Sequence, residues 1–381
     1  MSGYAGRSKK SISPLPAKSW SVASGRGRRR APARFPNQPR PTAFSMKWLA
    51  LDIGGANIKA ADGEQFAVSQ PFPMWEDSRH LVDVLRTLIA LVPRATHIAA
   101  TMTGELADCF STKAQGVEFI LNALNVAADG RHTRVYLTNG RLVSLQAALR
   151  QPLLASASNW HALASFAGRY VADGSGLVMD VGSTTCDLIP LVDGQPVTIG
   201  KTDTNRMING ELIYTGVQRT PVCAITQLVP WRGRKCPLAH EVFATMWDVY
   251  LTLDALPEDP SRKDTADRRP ATKEFAHDRL ARAICADREV FTDADARAIA
   301  EALADAQIKK IASIITQLVA RLQQPPHTVV ISGQGEFLAR AVLERAKIKT
   351  SIVSLTRELG PELSSCGPAH ALAVLAKEGP K

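Results

Sequence analysis

The stretch ALDIGGANIKAADG, Ala50–Gly63, is an apolar run that stops at Asp52, turns on Gly54 and Gly55, and resumes as a second short run at Ile58. The same grammar returns in LVMDVGSTTCDLIPL, Leu177–Leu191, where Asp180 closes the run and Gly182 makes the turn. Apolar runs broken by glycine read as strand, tight turn, strand. One such hairpin is ordinary. Two of them, heading two halves of one chain, point to internal duplication and to a ligand gripped from both sides.

A tight glycine turn exposes consecutive backbone N–H groups, which bind phosphate oxygens because they offer donors without side-chain bulk. On that reading Gly54, Gly55 and Asn57 of the first turn, and Gly182, Ser183 and Thr184 of the second, hold phosphate. Asp52 and Asp180, at the strand ends, hold Mg2+ through water, since this ion keeps much of its hydration shell. Asp187 follows Asp180 by seven positions, and the same offset from Asp52 falls on Lys59. A lysine there either points into the cleft and neutralises phosphate charge, or stands on a solvent-facing strand position. A third turn, Gly333–Gln334–Gly335, lies between the buried run TVVIS and a helix start, which suits close approach by an anion.

The pattern around these turns alternates between strand and helix. Trp48–Ile53, Ile58–Ala61 and Gln65–Val68 read as successive strands, followed by a helix over Leu81–Val92 and a buried strand over His97–Met102. Helices are expected at Gly116–Val126, Ser158–Tyr170, Phe275–Ala286, Ala296–Leu322, Glu336–Ala346 and Pro368–Ala376. In the second half Leu177–Val181, Cys186–Val192 and Val197–Ile199 read as strands. An N-terminal domain over 46–165 and a C-terminal domain over 166–381 follow, the second carrying an irregular insertion at about 202–270 that covers the cleft. The final helix is expected to pack back toward the first domain.

Composition narrows the function classes. The 381 residues are 45% hydrophobic and 22% charged, with no apolar stretch long enough to span a bilayer. The formal charge of +10 looks like a nucleic-acid signal until it is located. Residues 1–45 hold ten of the 46 Lys and Arg and no Asp or Glu, so the rest of the chain carries 36 charges of each sign. A neutral body excludes nucleic acid as the expected partner. The 1–45 stretch is rich in Ser, Pro, Gly and Arg and reads as an upstream start or disordered extension, although its lack of acids also fits a transit peptide. Six cysteines without a CxxC pair read as reduced thiols of a cytoplasmic protein. Cys223, Cys236 and His240 offer three ligand types at a spacing that matches no zinc pattern.

The two hairpins, the late glycine loop and the closing helix GPAHALAVLA resemble the actin/Hsp70/sugar-kinase superfamily, in its hydantoinase/oxoprolinase-like branch. Closer still, ALDIGGANIKAAD, TMTGELADCF, MDVGSTTCDLIP, TDTNRMINGELIYTGVQRTPVCA and TADRRPAT are similar to a subgroup tied to tetrahydromethanopterin-linked one-carbon metabolism. The likeness runs over residues 46–378. It implies a duplicated actin/Hsp70-like (ribonuclease H-like) α/β fold with a phosphate-binding cleft between two domains. It also implies a transferase of methanofuran biosynthesis, condensing a furanmethyl diphosphate with a γ-glutamyltyramine-like phenol and releasing pyrophosphate. An ATP-dependent hydantoinase/oxoprolinase-type hydrolase or small-molecule kinase is the alternative, and a nucleotide-gated scaffold is the third reading. Lys59 departs from the acidic first loop of the ATP-dependent hydantoinases and oxoprolinases, whereas some kinases of the superfamily carry a basic residue there.

In a transfer of this kind the furan ring stabilises positive charge on its methylene carbon, so the protein's task is to stabilise the departing diphosphate with Mg2+, Lys59 and the turn amides. The phenol needs a base. Glu105 in TMTGEL and Glu211 in NGEL are candidates, each of which also fits a helix-start glutamate. Arg206 and Asn209 either contact an acceptor carboxylate or phosphate, or lie solvated at the surface. Trp160 either stacks on an aromatic ligand or packs in the core. Whether the ligand is ATP or an organic diphosphate, and whether the chain forms a homo-oligomer, stay open.

Overall fold

Trp48–Ile53 is buried at every position and forms the central strand β1 of the first lobe. A strand covered on both faces needs partners on both edges, and the chain supplies them in two ways. The hairpin turn returns at once as β2 (Asn57–Ala61) and then β3 (Ala67–Pro71), both antiparallel to the strand before them. The other edge is filled by crossovers: β4 (His97–Met102) runs parallel to β1, and β5 (His132–Tyr136) runs parallel to β4. With β6 (Leu142–Ser144) the sheet order is β3-β2-β1-β4-β5-β6. The helix Lys113–Ala128 makes the second crossover; Thr112 caps it by accepting from the Gln115 amide at 3.1 Å. The computed structural model describes residues 47–379, so the expected basic extension lies outside the described residues.

The second lobe repeats this plan. β7 (Ser175–Val181) pairs with β8 (Cys186–Val192) through the second hairpin, and β9 (Gln195–Pro196) continues from it. β10 (Leu212–Ile213) adds to the outer edge of β8. A separate hairpin, β11 (Leu228–Trp231) and β12 (Arg234–Pro237), stands apart. β13 (Thr328–Ser332) and β14 (Ser351–Ser354) run parallel to β7, giving the order β10-β8-β7-β13-β14. Hairpin first, parallel crossovers second, is the ribonuclease H-like order in both lobes.

Two helices join the lobes. Asn159–Ala167 and Gly367–Glu378 lie between the sheets. Ala162, Leu372 and Ala373 pack against Trp48, Ala50 and Ala99 of the first sheet. Leu163, Phe166 and Ala371 pack against Val178, Ile189 and Val330 of the second. Alanine at these positions lets both backbones sit close to both sheets.

Three expectations shift. The third strand of the first lobe runs Ala67–Pro71, a few residues later than its pattern suggests, because Asp62 accepts from the amides of Glu64 and Phe66 and extends the turn. The run Val197–Ile199 is not a strand, since the Ile199 amide goes to the Glu211 carboxylate instead of a neighbouring strand. The 202–270 segment is also more regular than its sequence suggests. It contributes β10 to the sheet and the helix Met246–Thr252 to the core, where Met246, Val249 and Tyr250 are buried. The TADRRPAT motif sits in an ion-pair network: Asp267 pairs with Arg269 and with the fully buried Arg279, which also holds Asp248 at 2.7 Å.

Candidate functional site

The turns of the two hairpins line one cavity of about 250 Å3 between the lobes. In the first, the Gly54 amide donates to Asn57 O at 3.0 Å; in the second, Gly182 donates to Thr185 O at 2.9 Å. The two turns are closed by the same bond at the same place. The amides that follow, Gly55 and Ala56 in one and Ser183 and Thr184 in the other, donate to no acceptor among the described residues. They are free for anion oxygens. Gly54 is required where it stands, because a Cβ there would lie 2.6 Å from Asn57 O.

Side chains follow from strand register. Asp52 is paired with Lys59 across β1–β2, and Asp180 with Asp187 across β7–β8, so all four point to the cleft. Burial pushes Asp52 up to about 6, with the Lys59 charge and the Asn159 amide pulling the other way. Asp180 is half-buried and also stands at about 6; burial leads, Asp187 and Asp52 add to the rise, and Lys59 opposes it. Asp52, Lys59, Asp180 and Asp187 line one cavity, so the two hairpins face one another. Among the described residues one oxygen of Asp52, Oδ1, is buried without a hydrogen-bond partner. An orphaned carboxylate oxygen beside a second carboxylate fits a hydrated Mg2+. Among the described residues no group of three His, Cys, Asp or Glu side chains gathers into a metal cluster.

Arg206 is 1% exposed and completes the floor. Its guanidinium reaches Asp187 at 2.8 Å, donates to Glu211 O at 3.0 Å, and lies 4.1 Å from the Trp160 ring centroid. The surface alternative for Arg206 is therefore wrong, and Trp160 serves both core and cleft floor. Asn209 donates its amide to Asn205 O at the exposed end of the helix and does not reach the cleft.

Glu105 is fully buried at the cleft wall; Ser156 donates to its Oε1 at 2.5 Å, while Oε2 has no partner among the described residues. Burial lifts it to about 7, against the Ser156 hydrogen bond and the Lys113 charge. Gly116 makes the arrangement possible, because a Cβ there would stand 2.4 Å from Glu105 O. The neighbouring Lys113–Asp203 ion pair, 2.7 Å, ties the first lobe to the second.

Several expected site residues belong elsewhere. Glu211 is not in the cleft. Both of its oxygens are taken by amides, Ile199 at 2.6 Å and Gly200 at 2.8 Å, so it anchors a loop. Gly333, Gln334 and Gly335 do not line the cavity either. Gly333 has φ +85° and no room for a Cβ, which would lie 2.4 Å from Val181 O and 2.8 Å from Asp180 Oδ1. Gly335 donates to Val181 O at 2.9 Å. These glycines let the late loop press on β7 and set Asp180. Residues not foreseen in the sequence are Arg219, Asn159, Tyr214 and Asp203, all of which line the cleft.

Two ribonuclease H-like lobes with turn amides facing across a shared cleft define the two-lobed actin/Hsp70/sugar-kinase fold class. Within it, the chain belongs to the hydantoinase/oxoprolinase family, whose model matches residues 97–375. It is 33% identical over 333 residues to the (4-{4-[2-(γ-L-glutamylamino)ethyl]phenoxymethyl}furan-2-yl)methanamine synthase of Methanocaldococcus jannaschii, covering 87% of this chain and 97% of that protein. The synthase of the same description from Methanococcus vannielii is 30% identical over 206 residues, covering 53% of this chain and 90% of that one. Among solved structures, the activator of the 2-hydroxyisocaproyl-CoA dehydratase of Clostridium difficile, with bound ADPNP, superposes with a TM-score of 0.43 at 12% identity, over 87% of this chain and 95% of that one.

Proposed function

We propose that the chain is a transferase of methanofuran biosynthesis, joining a γ-glutamyltyramine-like phenol to a furanmethyl carbon with diphosphate as leaving group. Support comes from the near full-length likeness to a synthase whose product carries that phenoxymethyl-furan link. The single structural observation that carries the reading is Lys59. It places a cation between two carboxylates at a phosphate cleft, where the second hairpin has Asp187.

The carbon–oxygen bond to diphosphate breaks with its electron pair left on the diphosphate oxygen, and the phenol oxygen forms the new bond to the same carbon. The phenolic proton goes to Glu105 Oε2, the unpartnered buried oxygen. Lys59 and the amides of Gly55, Ala56, Ser183 and Thr184 bind the diphosphate oxygens. Asp52 and Asp180 would hold Mg2+, which supplies positive charge against the leaving group when bound. A cytoplasmic setting belongs to the same proposal, supported by six unpaired cysteines. No helix among the described residues is long and apolar enough to cross a membrane.

The test is direct. Purified protein with the aminomethyl-furanmethanol diphosphate, Mg2+ and γ-glutamyltyramine is expected to give equal amounts of pyrophosphate and ether product. The family match favours one competitor, an ATP-dependent hydrolase, so ATP is run in parallel. ATP consumption with no ether product defeats the transferase reading.

A further inference from the structure

Each phosphate hairpin is backed by a loop of its own lobe, and one side chain from each backing loop meets the other across the cleft mouth. Phe72 and Met74 donate their amides to Ala56 O and Gly55 O, 2.9 Å each, which sets Trp75 beside the first turn. Val217 donates to Gly182 O at 3.1 Å, and Gln218 and Arg219 donate to Ser183 O at 3.0 and 2.9 Å. Gly216 permits that approach, since a Cβ there would stand 2.5 Å from Gly182 O and Thr184 N. The Arg219 guanidinium then lies 5.0 Å from the centroid of the Trp75 ring.

Arg219 is otherwise uncommitted. Arg206 at the cleft floor is held by Asp187. Arg219 lines the same cleft, yet among the described residues its guanidinium makes neither a hydrogen bond nor an ion pair. Asp264 feels its charge, but that carboxylate is already forked by Arg262 at 2.8 and 2.6 Å. A cation over an exposed ring is held more weakly than a hydrogen bond to a charged group, and a fork makes two such bonds. A phosphate seated on the free Ser183 and Thr184 amides therefore outcompetes the indole for this side chain.

We propose that Arg219 is a further catalytic residue of the cleft, which leaves Trp75 to fork the oxygens of a bound diphosphate and takes up the charge of that group as it departs. When the methylene carbon–oxygen bond breaks, the electron pair stays on the diphosphate oxygen. The guanidinium answers it with two N–H···O bonds and keeps its own protons. The leaving-group role rests on the transferase reading; the anion binding does not.

Inorganic pyrophosphate with Mg2+ is the probe, titrated by calorimetry and by tryptophan fluorescence into the full chain and its Arg219→Lys, Arg219→Met and Trp75→Phe variants. Wild type is expected to bind and to change its emission as the guanidinium leaves the ring, and Trp75→Phe to bind with most of that change gone. Arg219→Met should weaken pyrophosphate by about tenfold to a hundredfold, with Arg219→Lys in between. Its kcat for pyrophosphate release should fall by about a hundredfold. Affinities within about twofold between wild type and a folded Arg219→Met overturn the proposal, as does a wild type that binds neither pyrophosphate nor ATP. Turnover of ATP in place of the furan diphosphate, with Arg219→Met still losing affinity, removes the transferase reading and leaves the arginine's role in place.

Discussion

Lys59 faces Asp52 across the first strand pair in the register that sets Asp187 facing Asp180 across the second. At one matched position the two halves thus carry opposite charge. The second lobe answers its extra carboxylate internally, through Arg206 at 2.8 Å. The first lobe leaves its lysine directed at both cleft aspartates, holding each below the value that burial alone would set. The duplicated scaffold has become an asymmetric cleft in which the Lys59 ammonium, among the described residues, makes no hydrogen bond or ion pair.

Lys59→Met removes that ammonium. Asp52 and Asp180 should then hold their protons more tightly, and diphosphate should lose a charged donor. We expect kcat/KM for pyrophosphate release to fall by about a hundredfold, the scale of one charge-assisted contact in a water-poor site. Lys59→Arg should retain part of it. A Lys59→Met rate equal to wild type would move the charge-neutralising role elsewhere.

Arg206 carries a stability prediction. It is buried, and its removal strands Asp187 as an uncompensated charge. Breaking a buried pair from one side costs on the order of 3–5 kcal/mol. Arg206→Met should therefore lower the Tm of the ligand-free protein by several degrees, read by circular dichroism. Adding Asp187→Asn should recover part of the loss, because a neutral amide is not a stranded charge. A double variant no more stable than the single one places the cost in lost packing on Trp160.

Glu105 gives the protein a pH dependence whose sign can be stated. Burial raises its carboxyl from an ordinary 4.5 to about 7 in the folded protein. The folded state holds this proton more tightly than the unfolded chain does. Its contribution is therefore fully present below about pH 4.5 and is lost as pH rises through about 7. The loss is on the order of 2–4 kcal/mol. Glu105→Gln should be more heat-stable than wild type at pH 8, with that slope removed. As the base proposed for the phenol, Glu105 would act ionised, so kcat/KM should rise through about pH 7 and the variant should lose about a hundredfold or more. A wild-type rate profile that is flat from pH 6 to 8 removes Glu105 from that role.

The hairpins, and with them the fold, were legible because strand pairing has a period of two residues. Equal turn lengths put the residue seven positions after each aspartate opposite it, so the Lys59 and Asp187 correspondence follows from spacing alone. Arg206 and Arg219 were not legible in the same way. What buries Arg206 is Trp160 from the interlobe helix, and what orients Arg219 is Trp75 from the other lobe. Neither partner is near in sequence. Glu211 looked like a free carboxylate until the folded chain brought the Ile199 and Gly200 amides to it. For Gly333 and Gly335, a turn that admits a ligand and a turn that presses on β7 carry the same glycines. Only the packed neighbour distinguishes them.

Metal dependence separates the two remaining carboxylates from the structural one. Asp52 and Asp180 both stand well above the ordinary range, and Asp52 Oδ1 has no partner among the described residues. Buried carboxylates of this kind gain most from a divalent cation, which offsets the desolvation that burial imposes. EDTA should therefore abolish pyrophosphate release, with Mg2+ restoring it. Asp52→Asn and Asp180→Asn should each raise the Mg2+ concentration for half-maximal rate by about tenfold, roughly the energy of one charged ligand contact. Glu211→Gln is the control. It should lower Tm through its lost amide contacts and leave the Mg2+ requirement unchanged, because its two oxygens are held outside the cleft. A release rate indifferent to EDTA, together with unshifted Mg2+ curves in both asparagine variants, would show that these aspartates serve the cleft without metal.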